Sequence, residues 1–181
     1  AQDAPATTAG GLVAGVHPVS YDITVEPNPQ ALTFTGNVDI VVEVANPTRE
    51  IMLNAAGISF DRVRLDGRTR PANIAIAEEE QEVTLSFTRP VQAGRHTLSI
   101  NYAGVIQQQS YGLFAVDYAV GNGGTERMLA TQFEAADARR FVPSFDEPGL
   151  KATFELAVVL PESRMAISNM PETGVTRLSG G

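Results

Sequence analysis

Residues 19–29 read VSYDITVEPNP, and their alternation decides the fold class. Tyr21, Ile23 and Val25 take every second place, with Asp22, Thr24 and Glu26 between them. A period of two sends one set of side chains to a buried face and the other to solvent, which is the pattern of a half-buried strand. Pro27 and Pro29 close the run. The same alternation returns at Val38, Ile40, Val42 and Val44 after Gly36, and Asn46-Pro47 ends it.

Outward from these two runs, further strands are expected at 51–53, 58–65, 83–87, 98–102, 127–133 and 153–160, with a short one at 165–168. Asp66-Gly67, Pro90, Ala93-Gly94, Gly104 and the cluster Gly121-Asn122-Gly123-Gly124 read as the turns between them. About ten short strands with no long helical period predict an all-β, saddle-like or sandwich antiparallel domain. One short helix is expected over 135–140, where EAADARR carries no β-branched residue. The acidic run Glu78-Glu79-Glu80, with Glu82, reads as a solvated turn rather than a cation site.

The 181 residues suit one domain: a tail over 1–15, then the β domain from 16 to 181. A hydrophobic fraction of 43% excludes a disordered chain, and with Trp 0 the core must rest on Val, Ile, Leu and Phe. Thirteen basic against 21 acidic side chains give a net charge of -8, which argues against nucleic acid or an anionic membrane as partner. No apolar run approaches the roughly 18 residues of a membrane span. The opening AQDAPATTAG is small and polar, like a mature chain after removal of a signal peptide. That points to an exported (periplasmic or secreted) protein. A plain flexible tail, and a cytoplasmic location, is the alternative.

Chemistry is hard to find. Without cysteine there is neither disulfide nor thiolate metal site. His17 and His96 are the only histidines, and neither has a second ligand at helical or hairpin spacing. No nucleophile elbow, Walker loop or HExxH is present, so no catalytic residue and no metal site is expected. Gly121-Asn122-Gly123-Gly124 lacks the lysine and the following helix of a phosphate loop, and a hairpin turn fits it better.

One segment differs. Residues 131–154 read TQFEAADARRFVPSFDEPGLKATF, with charges set between aromatics. On an extended strand Gln132 and Glu134 share a face and Phe133 takes the other, toward the core. A carboxylate beside an amide oxygen can hold an ammonium group, the one supplying charge and the other direction. Asp137, Arg139, Arg140, Asp146 and Glu147 are expected to form ion pairs that fix this loop. A purely structural, salt-bridged connection explains the same residues.

The run TQFE, ADARR, VPSFDEP, KATF resembles the block usually written TQFE, TDARR, FPCFDEP, KATF in the aminopeptidase N family. Pro18-Val19-Ser20-Tyr21-Asp22 is similar to its P-x-x-Y-D opening, Phe34-Thr35-Gly36 to its F-x-G, and Tyr102-Ala103-Gly104 to its Y-x-G. Tyr111-Gly112-Leu113-Phe114 and Ser168-Asn169-Met170-Pro171 match two more motifs, so residues 16–172 are covered in order. Ser144 stands where the family usually has Cys, Ala136 where Thr is common, and Phe141-Val142 where Ala-Phe is usual.

The resemblance implies the N-terminal β domain of a zinc metallopeptidase that removes N-terminal residues from peptides. Its GAMEN and HExxH motifs, and hence its one zinc ion, would lie beyond residue 181, and the last strand of the domain would be incomplete. Glu134, with Gln132, would bind the α-ammonium of the peptide N-terminus, and the domain would cap the site as partner of the catalytic domain. By itself the chain is then expected to be inactive and to self-associate through its open sheet edge. The alternative is a stand-alone β-sheet binding or structural module without peptidase activity.

Overall fold

A computed structural model describes residues 15–121 and 123–178; the expected tail over 1–15 therefore lies, but for Gly15, outside the described residues. The chain is all-β. It forms β1 (Val16–Asn28), β2 (Thr33–Val44), β3 (Thr48–Asn54), β4 (Ile58–Leu65), β5 (Asn73–Ala77), β6 (Glu82–Val91), β7 (Gly94–Val105), β8 (Gly112–Ala119), β9 (Thr125–Gln132) and β10 (Thr153–Val158). A five-stranded sheet runs β10-β1-β2-β7-β4, a three-stranded sheet β3-β6-β5, and β8-β9 stand as a hairpin.

The alternation read from the sequence is the inner face of the large sheet. Tyr21, Ile23, Val25, Val38, Ile40, Val42, Leu98 and Ile100 are buried, and share one core with Ile51, Leu53, Val83 and Leu85 of the small sheet. Each fully buried aliphatic side chain contributes about 1.5–3 kcal/mol of transfer free energy. A bulge in β1 between Pro18 and Ser20 shifts the parity, so that Val16 and Tyr21 both face inward. Where a Cβ on Gly104 would stand, the ring of Phe34 passes, its Cζ 2.3 Å away. Phe34 and Gly104 are direct cross-strand partners.

Several expectations need correction. β10 pairs with β1 in parallel, so the domain is not purely antiparallel. Gly104 lies inside β7 rather than in a turn, because that aromatic ring needs its missing side chain. Pro90 lies inside β6, where the pairing with β3 jumps from Ser86 to Val91 and no ladder hydrogen bond is asked of it. The helix over 135–140 shrinks to a 3-10 turn at Ala138–Arg140. So short a segment has no apolar stripe to bury, and nucleating an α-helix there is unfavourable. Residues 165–168 form no strand, and Met165 and Ile167 are exposed. β5 and β8 escaped the sequence reading: every residue of β5 is exposed, and β8 opens on a glycine without clean alternation. Along β10, Phe154, Leu156 and Val158 are exposed, although Phe154 stacks on Tyr21 at 4.6 Å. No helix among the described residues is long and apolar enough to cross a membrane.

Candidate functional site

β9 ends at Gln132, so the site begins where the strand stops. Phe133 turns inward and packs on Phe141 at 5.3 Å, and Phe141 packs on Phe34 at 5.8 Å. Residues 134–137 then turn, closed by the Asp137 amide donating to the Phe133 carbonyl at 2.9 Å. Gln132 and Glu134 are both exposed on either side of the half-buried Phe133, but only Gln132 belongs to the strand. The Gln132 side-chain oxygen accepts the Phe133 amide at 3.1 Å, which leaves it a second lone pair.

The arginines that follow are paired. Arg139 Nε donates to Asp146 Oδ2 at 2.9 Å, with side chains only 14% and 17% exposed, so little water screens the contact. Arg140 Nε donates to Asp137 Oδ1 at 2.8 Å and its guanidinium lies 5.0 Å from the Tyr111 ring centre. Glu147 is half-buried and its carbonyl accepts the Leu150 amide at 2.9 Å.

Three residues outside the predicted set tie the segment to the rest of the domain. Asn54, buried at the end of β3, pairs with Ser144 through both backbone groups, at 2.7 and 3.1 Å, and its Oδ1 accepts the Asp146 amide at 3.0 Å. The Tyr21 hydroxyl accepts the Phe145 amide at 3.0 Å, and burial pushes its pKa well above the ordinary phenol range. Tyr111 is the third, under Arg140. The signal for Asn54 was a polar residue closing the apolar run of β3; Tyr21 and Tyr111 sat inside quoted motifs without a role. Ser144 Oγ is buried without a hydrogen-bond partner.

The remaining titratable candidates lie apart. His17 is exposed on β1, and His96 on β7 pairs with Asp66 at 2.7 Å. Among the described residues no group of three or more His, Asp or Glu side chains is placed to hold a metal ion, so this segment does not fit a zinc site. Val120, Gly123 and Gly124 close the β8–β9 hairpin through backbone bonds at 3.0 Å, as a turn and not a phosphate loop; Asn122 lies outside the described residues.

Comparison with known proteins adds what the geometry alone leaves open. The model of the peptidase M1 N-terminal domain matches residues 17–181. An aminopeptidase N of Acetobacter pasteurianus is 44% identical over 168 residues, covering 93% of this chain and 47% of the relative. Aminopeptidase M1-C of Oryza sativa subsp. japonica is 36% identical over 156 residues, covering 85% of this chain and 18% of its own. Aminopeptidase M1 of Arabidopsis thaliana is 35% identical over 161 residues, again with 85% and 18% covered. The chain thus spans about half the length of the first of these relatives and about a fifth of the other two.

Proposed function

The chain belongs to the peptidase M1 N-terminal domain family, and from that premise we propose that it is the non-catalytic β domain of a zinc aminopeptidase, capping the active site and presenting Glu134, with Gln132, to the α-ammonium of a peptide N-terminus. The observation that supports the anchor is a contrast within one turn. Glu134 is exposed, while Phe133, Asp137, Arg139 and Asp146 around it are packed or paired. A carboxylate held on a fixed backbone loses little entropy when it binds a cation, which suits it to reading a chain end. Zinc in such an enzyme supplies Lewis-acid activation of the carbonyl and of water. These residues do not fit that ion, and their part is to bind and orient. Export to the periplasm or the exterior belongs to the same proposal.

The test uses the aminopeptidase that contains this domain. Glu134→Ala removes a charge-assisted contact of about 1.5–3 kcal/mol and is expected to lower kcat/KM roughly ten- to a hundredfold. Gln132→Ala is expected to cost less, since it removes a neutral acceptor. An unchanged kcat/KM in both variants would overturn the reading.

A further inference from the structure

Gly112, at the start of β8, is the cross-strand partner of Gln132. A Cβ on Gly112 would stand 3.0 Å from the Cβ of Arg140 and 3.6 Å from its Cδ, so the arginine stem lies against Gly112. From there the guanidinium reaches the Tyr111 ring at 5.0 Å and the Asp137 carboxylate at 2.8 Å. Asp137 is also the residue whose amide closes the turn on the Phe133 carbonyl, with Glu134 inside that turn. One side chain therefore joins two places: Gly112, the residue paired with Gln132, and Asp137 of the turn carrying Glu134.

We infer that Tyr111 and Arg140 are positioning residues for the α-ammonium anchor, the stack of ring, guanidinium and Asp137 carboxylate fixing the place of Glu134 relative to Gln132. This rests on the reading of Glu134 given above. The guanidinium lies over the Tyr111 ring, and that cation–π contact restrains the side chain whose Nε donates to Asp137. Without the ring, the arginine keeps its charge but loses that restraint, and the turn gains freedom. A loose anchor still binds cations, but with less preference for one at the correct distance.

The experiment is inhibition of the full-length aminopeptidase by an amino acid amide and by its des-amino analogue, with the ratio of the two inhibition constants as the readout. Tyr111→Leu is expected to narrow that ratio about three- to tenfold, from loss of a partly desolvated cation–π contact. Tyr111→Phe, which keeps the ring, is expected to hold the wild-type ratio. Asp137→Asn, which leaves the aromatic packing intact, is expected to narrow the ratio as Tyr111→Leu does, and stands in for it if that variant fails to fold. A role in general stability would weaken both inhibitors equally and leave the ratio alone, which would overturn the inference. Glu134→Ala is measured beside them. If it narrows the ratio while Tyr111→Leu and Asp137→Asn do not, the positioning role falls and the anchor stands. If Glu134→Ala itself keeps the ratio, both fall.

Discussion

The ring of Tyr102 fills the place of a side chain on Gly36: a Cβ built there would lie 2.3 Å from the tyrosine Cζ and 2.6 Å from its hydroxyl oxygen. The two are direct partners in the β2–β7 ladder, as are Phe34 and Gly104 two residues away on each strand. The F-x-G and Y-x-G motifs are thus two halves of one device. Each aromatic covers the glycine opposite, and the two rings meet edge to face at 6.3 Å.

Gly36→Ala and Gly104→Ala are therefore expected to overpack the sheet and to destabilise the domain by about 1–3 kcal/mol each. Gly149→Ala, where a Cβ meets nothing within 4 Å, is the control and should stay within about 0.5 kcal/mol of wild type. Denaturant unfolding of the three variants decides it.

The two arginines of the loop should differ. Arg139→Ala leaves the Asp146 carboxylate mostly buried and unpaired, at about 2–3 kcal/mol, somewhat below the cost for a pair wholly without water. Arg140→Ala uncovers a pair whose side chains are 28% and 26% exposed, and about 1 kcal/mol is expected. Equal and negligible shifts in thermal midpoint would mean that neither pair holds the loop.

Ser144 carries a buried hydroxyl with no partner, where the family usually has cysteine. A polar group buried without a hydrogen bond costs about 1–3 kcal/mol. Ser144→Ala, and Ser144→Cys with its weak donor, should raise stability by roughly 1 kcal/mol, since the backbone pairing with Asn54 does not involve the side chain. A lower midpoint in both variants would show that the hydroxyl is bonded in solution.

The pH dependence has a defined sign. His96 Nδ1 faces Asp66 Oδ2 at 2.7 Å and Nε2 faces the Gln92 carbonyl at 2.9 Å, so only the doubly protonated ring satisfies both. Burial opposes its charge, but Asp66, the Gln92 carbonyl and Glu43, itself paired with Arg95, outweigh it and raise the histidine above its ordinary range. For Asp66, burial likewise opposes ionisation, and the hydrogen bonds from His96 and the Thr97 amide outweigh it and lower its pKa. The His96 contribution is full below the unfolded value of ~6.5 and fades as pH rises through the raised folded value; that of Asp66 is lost on acidification below ~3.9. With Asp66 half exposed, the gain over His96→Gln should be about 1 kcal/mol or less near pH ~5.5 and smaller near pH ~9. A difference that grows with pH would contradict the assignment.

Much of this was legible because β1, β2 and β7 are buried on one face only and so alternate in sequence. β5 was not, because an edge strand exposed throughout carries no period. At the candidate site the residue types were visible, but the ties were not. Tyr21 meets Phe145 across 124 residues and Asn54 meets Asp146 across 92, and no local pattern encodes such pairs. The strand expected over 127–133 ends at Gln132, one residue short, so Glu134 lies in the turn beyond it. The segment is shaped by those distant contacts rather than by its own propensity.

The central claim is that Glu134 reads the charge of a free chain end, and the most direct measurement compares one peptide with its N-acetylated form in the aminopeptidase bearing this domain. Wild type should prefer the free amine strongly. Glu134→Gln keeps the shape and removes the charge, and should narrow the preference by about tenfold or more, the value of one charge-assisted contact. A Glu134→Gln enzyme that keeps the full wild-type preference would contradict the account and leave Glu134 as an exposed carboxylate on a structural turn.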